Sequence, residues 1–296
     1  ANSEVVLLGT NSTWANTSRP DLDSTGDTSI APSGITSTGE NIRDYLATDS
    51  QSHSIGTVRF AADGSLYVSN ADGASYGRVD PRAVRVQDID NLSGKILRID
   101  PLTGQGLADN PFYNGDPNSN RAKVYNYGLR NPFRFTIHPT TQQLYIGDVG
   151  WYNWEEINQG RGANFGWPFY EGGNGTNVPQ NRYATLPEAD AFYNSGQTIT
   201  APVYATQHGR NVSAIMVGDF YQGTTFPSIY QGALFFSDIN NGIVSAATLN
   251  ASGGIASIQQ FATGLPGIVQ IVNGPDSNLY YVSLMDGTIN RWRYNA

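Results

Sequence analysis

The chain has 296 residues, 14% of them charged and 11% aromatic, with a formal net charge of −8. That acidic surplus argues against a nucleic-acid or anionic-membrane partner, and no run of about 18 apolar residues is present to form a spanning helix. Cysteine is absent, which excludes disulfides, thiolate metal sites and cysteine nucleophiles.

Low charge combined with 33 glycines and 17 tyrosines suits a secreted, extracellular or periplasmic β-rich protein. Six Asn-X-Ser/Thr sequons occur, at Asn11, Asn16, Asn91, Asn174, Asn211 and Asn250. They matter only in a eukaryotic secretory pathway. No signal peptide is visible at Ala1. The chain opens abruptly on a strand-like EVVLL (Glu4–Leu8), which suggests that Ala1 is a processed or observed start.

Residues 9–52 read as a long polar loop of Ser, Thr, Asn, Asp and Gly. Its Asp21–Asp27 run, DLDSTGD, resembles the start of a calcium loop. The twelfth position is Pro32 and not glutamate, so it is no EF-hand. A solvated loop and an irregular Ca²⁺ site both remain open there.

From Gly56 the pattern becomes strand, turn, strand. TVRF (57–60) leads through AADG to SLYVSN (65–70). FRFTI–HPTTQ–QLYIGD (133–148), VGDFY to ALFFSD (217–238) and VQIV–NGPDS–NLYYVS (269–283) repeat that order. Further strands containing or following glycine are GKILRID (94–100), NGIVSAATL (241–249) and DGTINRWRY (286–294). Short strand units recurring at roughly 45 to 90 residues signal a β-propeller. A β-sandwich with similar turns is the alternative, and weak helical periodicity disfavours an α/β fold.

Five stretches in order, LSGKILRIDP (92–101), NPF (110–112), YGLRNPFRF (127–135), LYIGDVGWYNWEEIN (144–158) and GANFGWPFYEGG (162–173), resemble the soluble quinoprotein glucose/sorbosone dehydrogenases. The likeness covers about residues 50–296. It implies an all-β fold, a six-bladed quinoprotein-type propeller of which four to five blades lie in this chain. It also implies a single propeller domain over residues 1–296, read as a fragment. Family members carry many more residues ahead of the segment matching His53, where this chain supplies 52. An open propeller exposes sheet edges, so a missing N-terminal segment or another chain is expected to cover them.

The same resemblance implies a sugar dehydrogenase that uses pyrroloquinoline quinone (PQQ) and Ca²⁺, with a sugar or glycan as substrate and an external electron acceptor. His53 matches the general base, a role suited to an imidazole that is neutral near pH 7. Arg130 and Asn131 match residues at the cofactor, where a guanidinium stabilises the charge that develops on reduction. Asp72 matches the acid of a Gly-Asp pair and is expected at the cofactor too, with Ala71 standing for the glycine. The carbonyls of Gly150 and Trp151 match the Ca²⁺ loop, and Glu156 matches a ligand of a second Ca²⁺.

Each assignment has a plainer counterpart. His53 could make one structural hydrogen bond at a rim, Arg130 could pair with Asp148 or Glu155, and Glu156 could be a salt-bridged strand carboxylate. Trp151, Tyr152 and Trp154 suit sugar stacking, whereas Trp154 and Trp167 also suit inter-blade core. A glycosidase pair drawn from Asp72, Asp148 and Glu155 is a weaker option. Ser52, Val149 and Gly77 depart from residues that family members often carry there. They favour a second reading, a non-catalytic propeller scaffold for carbohydrate binding, adhesion or assembly.

Overall fold

The computed structural model describes residues 3–13, 28–47, 49–50, 52–209 and 214–294. The DLDSTGD run and the sequons at Asn16 and Asn211 lie outside the described residues. The chain is built mainly of strands and belongs to the β-propeller class, its sheets being antiparallel meanders of the blade type. It divides into two compact units: residues 1–132 with 160–171 and 177–200, and residues 133–159 with 172–176 and 201–296.

The first unit holds one sheet, ordered β1 (Ile55–Phe60), β2 (Leu66–Asn70), β3 (Lys95–Ile99) and β4 (Val124–Tyr127). The β1–β2 hairpin turns at Asp63-Gly64, where Asp63 Oδ1 accepts from the Ser65 amide at 2.9 Å and Gly64 takes φ 84°. That Asx-type closure and a left-handed glycine are what a tight turn needs. Leu66, Val68, Leu92, Leu97, Ile99 and Val124 form the core of this sheet, flanked by Leu7, Leu8, Leu46 and Phe112. Residues 4–8, expected as a strand, form none. Leu7 and Leu8 are tied down by packing on this core instead, while Val5 and Val6 face solvent.

The second half of the polar loop is not merely solvated. Asp44 is buried and accepts from Lys123 Nζ at 2.7 Å, and Asp49 is buried against Arg85 at 2.5 Å. Buried charges persist when paired, so these two aspartates pin the segment to the first unit.

The second unit holds three sheets. They are β5 (Arg134–Ile137), β6 (Leu144–Asp148), β7 (Trp154–Asn158) and β8 (Tyr204–Gln207); β9 (Ile215–Phe220), β10 (Leu234–Asp238), β11 (Val244–Leu249) and β12 (Ile255–Ala262); and β13 (Ile268–Asn273), β14 (Leu279–Ser283) and β15 (Thr288–Arg291). Two buried clusters knit them together. One gathers Tyr145, Ile157, Val217, Phe220, Leu234 and Phe236; the other gathers Met216, Phe235, Val244, Ile268, Ile271 and Leu279. Gly218 of β9 shows how closely the sheets approach, since a Cβ there would lie 2.6 Å from that of Ile271.

The strand-turn-strand repeats correspond to β1–β2, β5–β6, β9–β10 and β13–β14, and the glycine-linked third strands to β3, β11 and β15. Strands β4, β8 and β12 escaped the sequence reading. Outer strands such as β8 (YATQ) and β12 (IASIQQFA) mix polar and apolar residues because one side meets water, so their alternation is weak.

Candidate active site

In the first unit the site follows from strand register. Ile55 of β1 pairs with Asn70 of β2 in antiparallel fashion. Continuing both strands outward brings His53, just before β1, beside Asp72, just after β2. The Gly73 amide donates to the His53 carbonyl at 3.2 Å, and His53 Nδ1 meets Asp72 Oδ1 at 2.8 Å. His53 adopts φ 60°, a left-handed conformation uncommon for a side-chain-bearing residue. Such backbone persists where the surroundings over-determine it, often at functional sites.

Asp72 is 1% exposed. Its Oδ1 also accepts from the Ala74 amide at 2.9 Å, and its Oδ2 accepts from Trp167 Nε1 at 2.9 Å. Burial alone would raise the carboxyl pKa; contact with His53, the charge of Arg130 and the Ala74 amide outweigh it and hold the group below the usual carboxylate range. Arg85 braces the loop, donating to the carbonyls of Asp72 (3.1 and 3.0 Å) and Gly73 (2.9 Å).

His53 is buried as well. Desolvation pushes its pKa down, the Arg130 charge adds to that, and the opposing pull of Asp72 is smaller. The ring is therefore neutral at neutral pH. An ionised Asp72 can only accept, so the Nδ1 proton sits on His53 and Nε2 carries the lone pair. A neutral imidazole with its tautomer set by a buried carboxylate is the arrangement a general base requires.

Arg130 follows β4 and is held beside this pair by its main chain: its carbonyl accepts from the Asp72 amide at 2.8 Å. Its guanidinium is buried and lies over the Trp167 ring, 5.5 Å from the centroid. A cation on a tryptophan face in a dry setting is a favourable pairing. Trp167 is in turn fixed by its amide, which donates to the Gly128 carbonyl at 3.0 Å, and by the edge of Tyr183, 4.9 Å away. Asn131 is half-buried beside Arg130 in the chain.

Thus the structure brings together His53, Asp72 and Arg130, and adds Trp167, which sequence reasoning left as core. Only its place in the Gly-Trp-Pro stretch hinted at more. Asp72, expected at the cofactor, has its carboxylate hydrogen-bonded to His53, the Ala74 amide and Trp167.

The second unit carries the remaining candidates. Gly150 and Trp151 form the corner after β6, and the Gly150 amide donates to Glu155 Oε2 at 3.3 Å. Glu155, fully buried, also accepts from the Ile215 amide at 2.8 Å and pairs through Oε1 with His208 Nε2 at 2.6 Å. This hub was not foreseen. Glu156 is the next residue along β7, so it points to the opposite face of the strand. Its Oε2 accepts from Asn158 Nδ2 at 2.8 Å, and its Oε1 accepts from the Gly172 amide. Among the described residues no three His, Asp or Glu side chains gather as a metal cluster. Gly150 and Trp151 would contribute main-chain oxygens, which such a cluster does not include.

The family model for Glucose / Sorbosone dehydrogenase matches residues 31–291, most of the chain. The chain belongs to the Glucose / Sorbosone dehydrogenase family. Within that family it is similar to the aldose sugar dehydrogenase YliI of Escherichia coli (strain K12), at 28% identity over 228 residues, 76% of this chain and 56% of the relative. The chain therefore spans about half the length of that curated relative. Among solved structures it resembles the PQQ-bound aldose sugar dehydrogenase of Streptomyces coelicolor, with TM-score 0.56 and 22% identity, covering 86% of this chain and 60% of that one. It also resembles the apo-form soluble aldose sugar dehydrogenase of Escherichia coli, with TM-score 0.55 and 25% identity, covering 78% and 62%.

Proposed function

We propose that this glucose/sorbosone dehydrogenase family chain oxidises a sugar hydroxyl with the help of PQQ and Ca²⁺, His53 acting as the general base. The observation that carries this reading is the buried His53–Asp72–Trp167 chain of hydrogen bonds beside Arg130. Resemblance to a PQQ-bound aldose sugar dehydrogenase supports it.

The donor set suits an anionic quinone: a buried guanidinium on an indole face, next to a neutral imidazole. When bound, the quinone supplies the hydride acceptor for the sugar carbon. His53 Nε2 takes the hydroxyl proton. Its Nδ1–H stays on Asp72, whose negative charge stabilises the imidazolium that results. Arg130 faces negative charge with a fixed cation, so little reorganisation is needed. Asn131 offers an amide next to it. In the second unit, the Gly150 and Trp151 carbonyls would hold Ca²⁺, which accepts main-chain oxygen readily. Glu155 keeps that corner in shape through the Gly150 amide.

An external acceptor would take up the electrons, in an extracellular or periplasmic setting. No described helix is long and apolar enough to cross a membrane. Val58 (55% exposed) and Phe60 (69%) of β1 face solvent. We read them as a surface that a further blade covers, consistent with the share of the relatives that this chain spans.

The test is twofold. Quinone titration, followed by its absorbance, should show binding that Arg130→Ala weakens, and the loaded protein should reduce a dye when an aldose is added. Binding without turnover on any aldose would overturn the catalytic reading. It would favour a non-catalytic scaffold for carbohydrate binding, adhesion or assembly.

A further inference from the structure

A cavity lies within the second unit, at the far end of its first sheet from the Gly150 corner. It has a volume of about 430 Å³, and His138, Gln143, Gln231, Thr248 and Asn250 are among its lining residues. Gln143 stands just before β6 and Gly150 two residues after its end, so the five-residue strand, roughly 16 Å long at about 3.3 Å per residue, lies between the two places.

Hydrogen bonds preset one side of the cavity, where Gln143 is exposed and Tyr145 is buried. Tyr145 Oη donates to the Gly253 carbonyl at 2.7 Å, Gln159 Nε2 donates to Gln143 Oε1 at 2.8 Å, and Gln159 Nε2 also reaches Tyr145 Oη at 3.3 Å. Gly253 makes this convergence possible. It sits at φ 85°, and a Cβ there would lie 2.7 Å from Gln159 Nε2 and 3.0 Å from both Gln143 Oε1 and Tyr145 Oη.

The walls are also preset. His138 Nδ1 accepts from the amides of Thr140 (3.2 Å) and Thr141 (3.1 Å), which leaves the proton on Nε2 as a donor. The His138 ring rests edge-on against Phe220 at 4.7 Å. Asn250 Oδ1 is occupied by the amides of Ser252 and Gly254, both at 3.0 Å, and by Ser252 Oγ at 2.7 Å. The Asn250 amide nitrogen is thereby oriented by its own turn.

The chemistry of the lining selects a class of ligand. Among the described residues it contains no Lys, Arg, Asp or Glu, so neither an anion nor a cation finds a counter-charge there. Tyr145 is fully buried and engaged at its edge with Phe220, so no tyrosine face is offered to a flat aromatic ring. What remains is a dense set of neutral amides, hydroxyls and one imidazole N–H, in a volume inside the range of about 300–1,000 Å³ usual for small-ligand sites. Such groups satisfy vicinal hydroxyls. We propose that this cavity is a non-catalytic binding site for a neutral saccharide, separate from the residues that would oxidise one.

The experiment is calorimetric titration of the whole chain, without quinone, with maltose, glucose 6-phosphate and glucosamine. The variants are Gln143→Ala, Gln231→Ala and His53→Ala. Maltose should bind, the charged sugars at least tenfold more weakly, and His53→Ala should leave the maltose affinity unchanged. Each glutamine variant should lose at least tenfold. Both glutamines are exposed, and Gln231 lies outside the Gln143–Gln159–Tyr145 hydrogen bonds, so its replacement remains informative should Gln143→Ala disturb folding. No maltose binding, equal binding of charged sugars, loss with His53→Ala, or unchanged affinity in Gln231→Ala would each overturn the proposal. Failure of the catalytic reading shows separately, as absent dye reduction with maltose binding intact.

Discussion

Two corners of the molecule stand at the same place in their respective sheets and are loaded differently. After β2 the chain runs Ala71-Asp72-Gly73; after β6 it runs Val149-Gly150-Trp151. In the first unit the corner presents a carboxylate, and His53 and Trp167 converge on it. In the second unit the corner presents main-chain groups, and a carboxylate from the next strand, Glu155, converges on it together with His208. One blade geometry thus carries two different loads. Under the proposed function the first corner would tune a proton acceptor, and the second would offer main-chain oxygens to Ca²⁺.

The comparison predicts that damage at the first corner appears in catalysis and damage at the second in stability. The largest effect belongs to His53→Ala. Turnover by the quinone- and Ca²⁺-loaded protein should fall about 10²–10⁴-fold, the usual weight of a general base, while the melting temperature stays close to wild type. Retained turnover would remove His53 from the mechanism.

Asp72→Asn comes next. Turnover should fall about 10–100-fold, as when an orienting partner is lost. The pH–rate profile supplies the discriminating readout. With His53 as the proposed base, turnover should decline as pH falls through the His53 pKa, which already lies below the ordinary value. Asp72 raises that pKa, so removing its charge should move the acid limb to still lower pH. An unmoved limb would show that Asp72 does not act through His53.

At the second corner, Glu155→Gln should cost about 2 kcal/mol in urea unfolding, since hydrogen bonds to a buried charge contribute roughly 1.5–3 kcal/mol. His53→Ala measured in the same assay should change it far less. Equal losses in both variants would erase the distinction between the two corners.

The smallest effect at neutral pH concerns Lys95, fully buried in β3 with its Nζ donating to the carbonyls of Val86 and Ser93, both at 2.7 Å. Burial is the main cause that pushes its pKa down to about 7. The folded protein therefore gives up this proton more readily than the unfolded chain does. Stability is lowest below pH 7, where both states hold the proton, and rises toward the unfolded pKa near 10.5. The slope is at most about 1.4 kcal/mol per pH unit. Lys95→Met should flatten that rise in denaturation curves taken across the window; an unchanged slope would assign it to another group.

Much of the fold was readable from local chemistry. Alternating apolar residues around Asp/Gly/Pro turns announced the paired strands of every sheet, because the two-residue period and the turn conformations are properties of short segments. The His53–Asp72 pairing is nearly local too: once β1 and β2 are placed antiparallel in register, the two residues must meet. Strands β8 and β12 were not legible, since a half-wet strand loses its alternation. The contact of Trp167 with Asp72 spans 95 positions and that of His208 with Glu155 spans 53. Nothing in either segment specifies its partner. Those pairings exist only because sheet packing brings distant loops together, and burial then makes each hydrogen bond between them obligatory; the neutral cavity beside Gly253 is likewise assembled from separate loops.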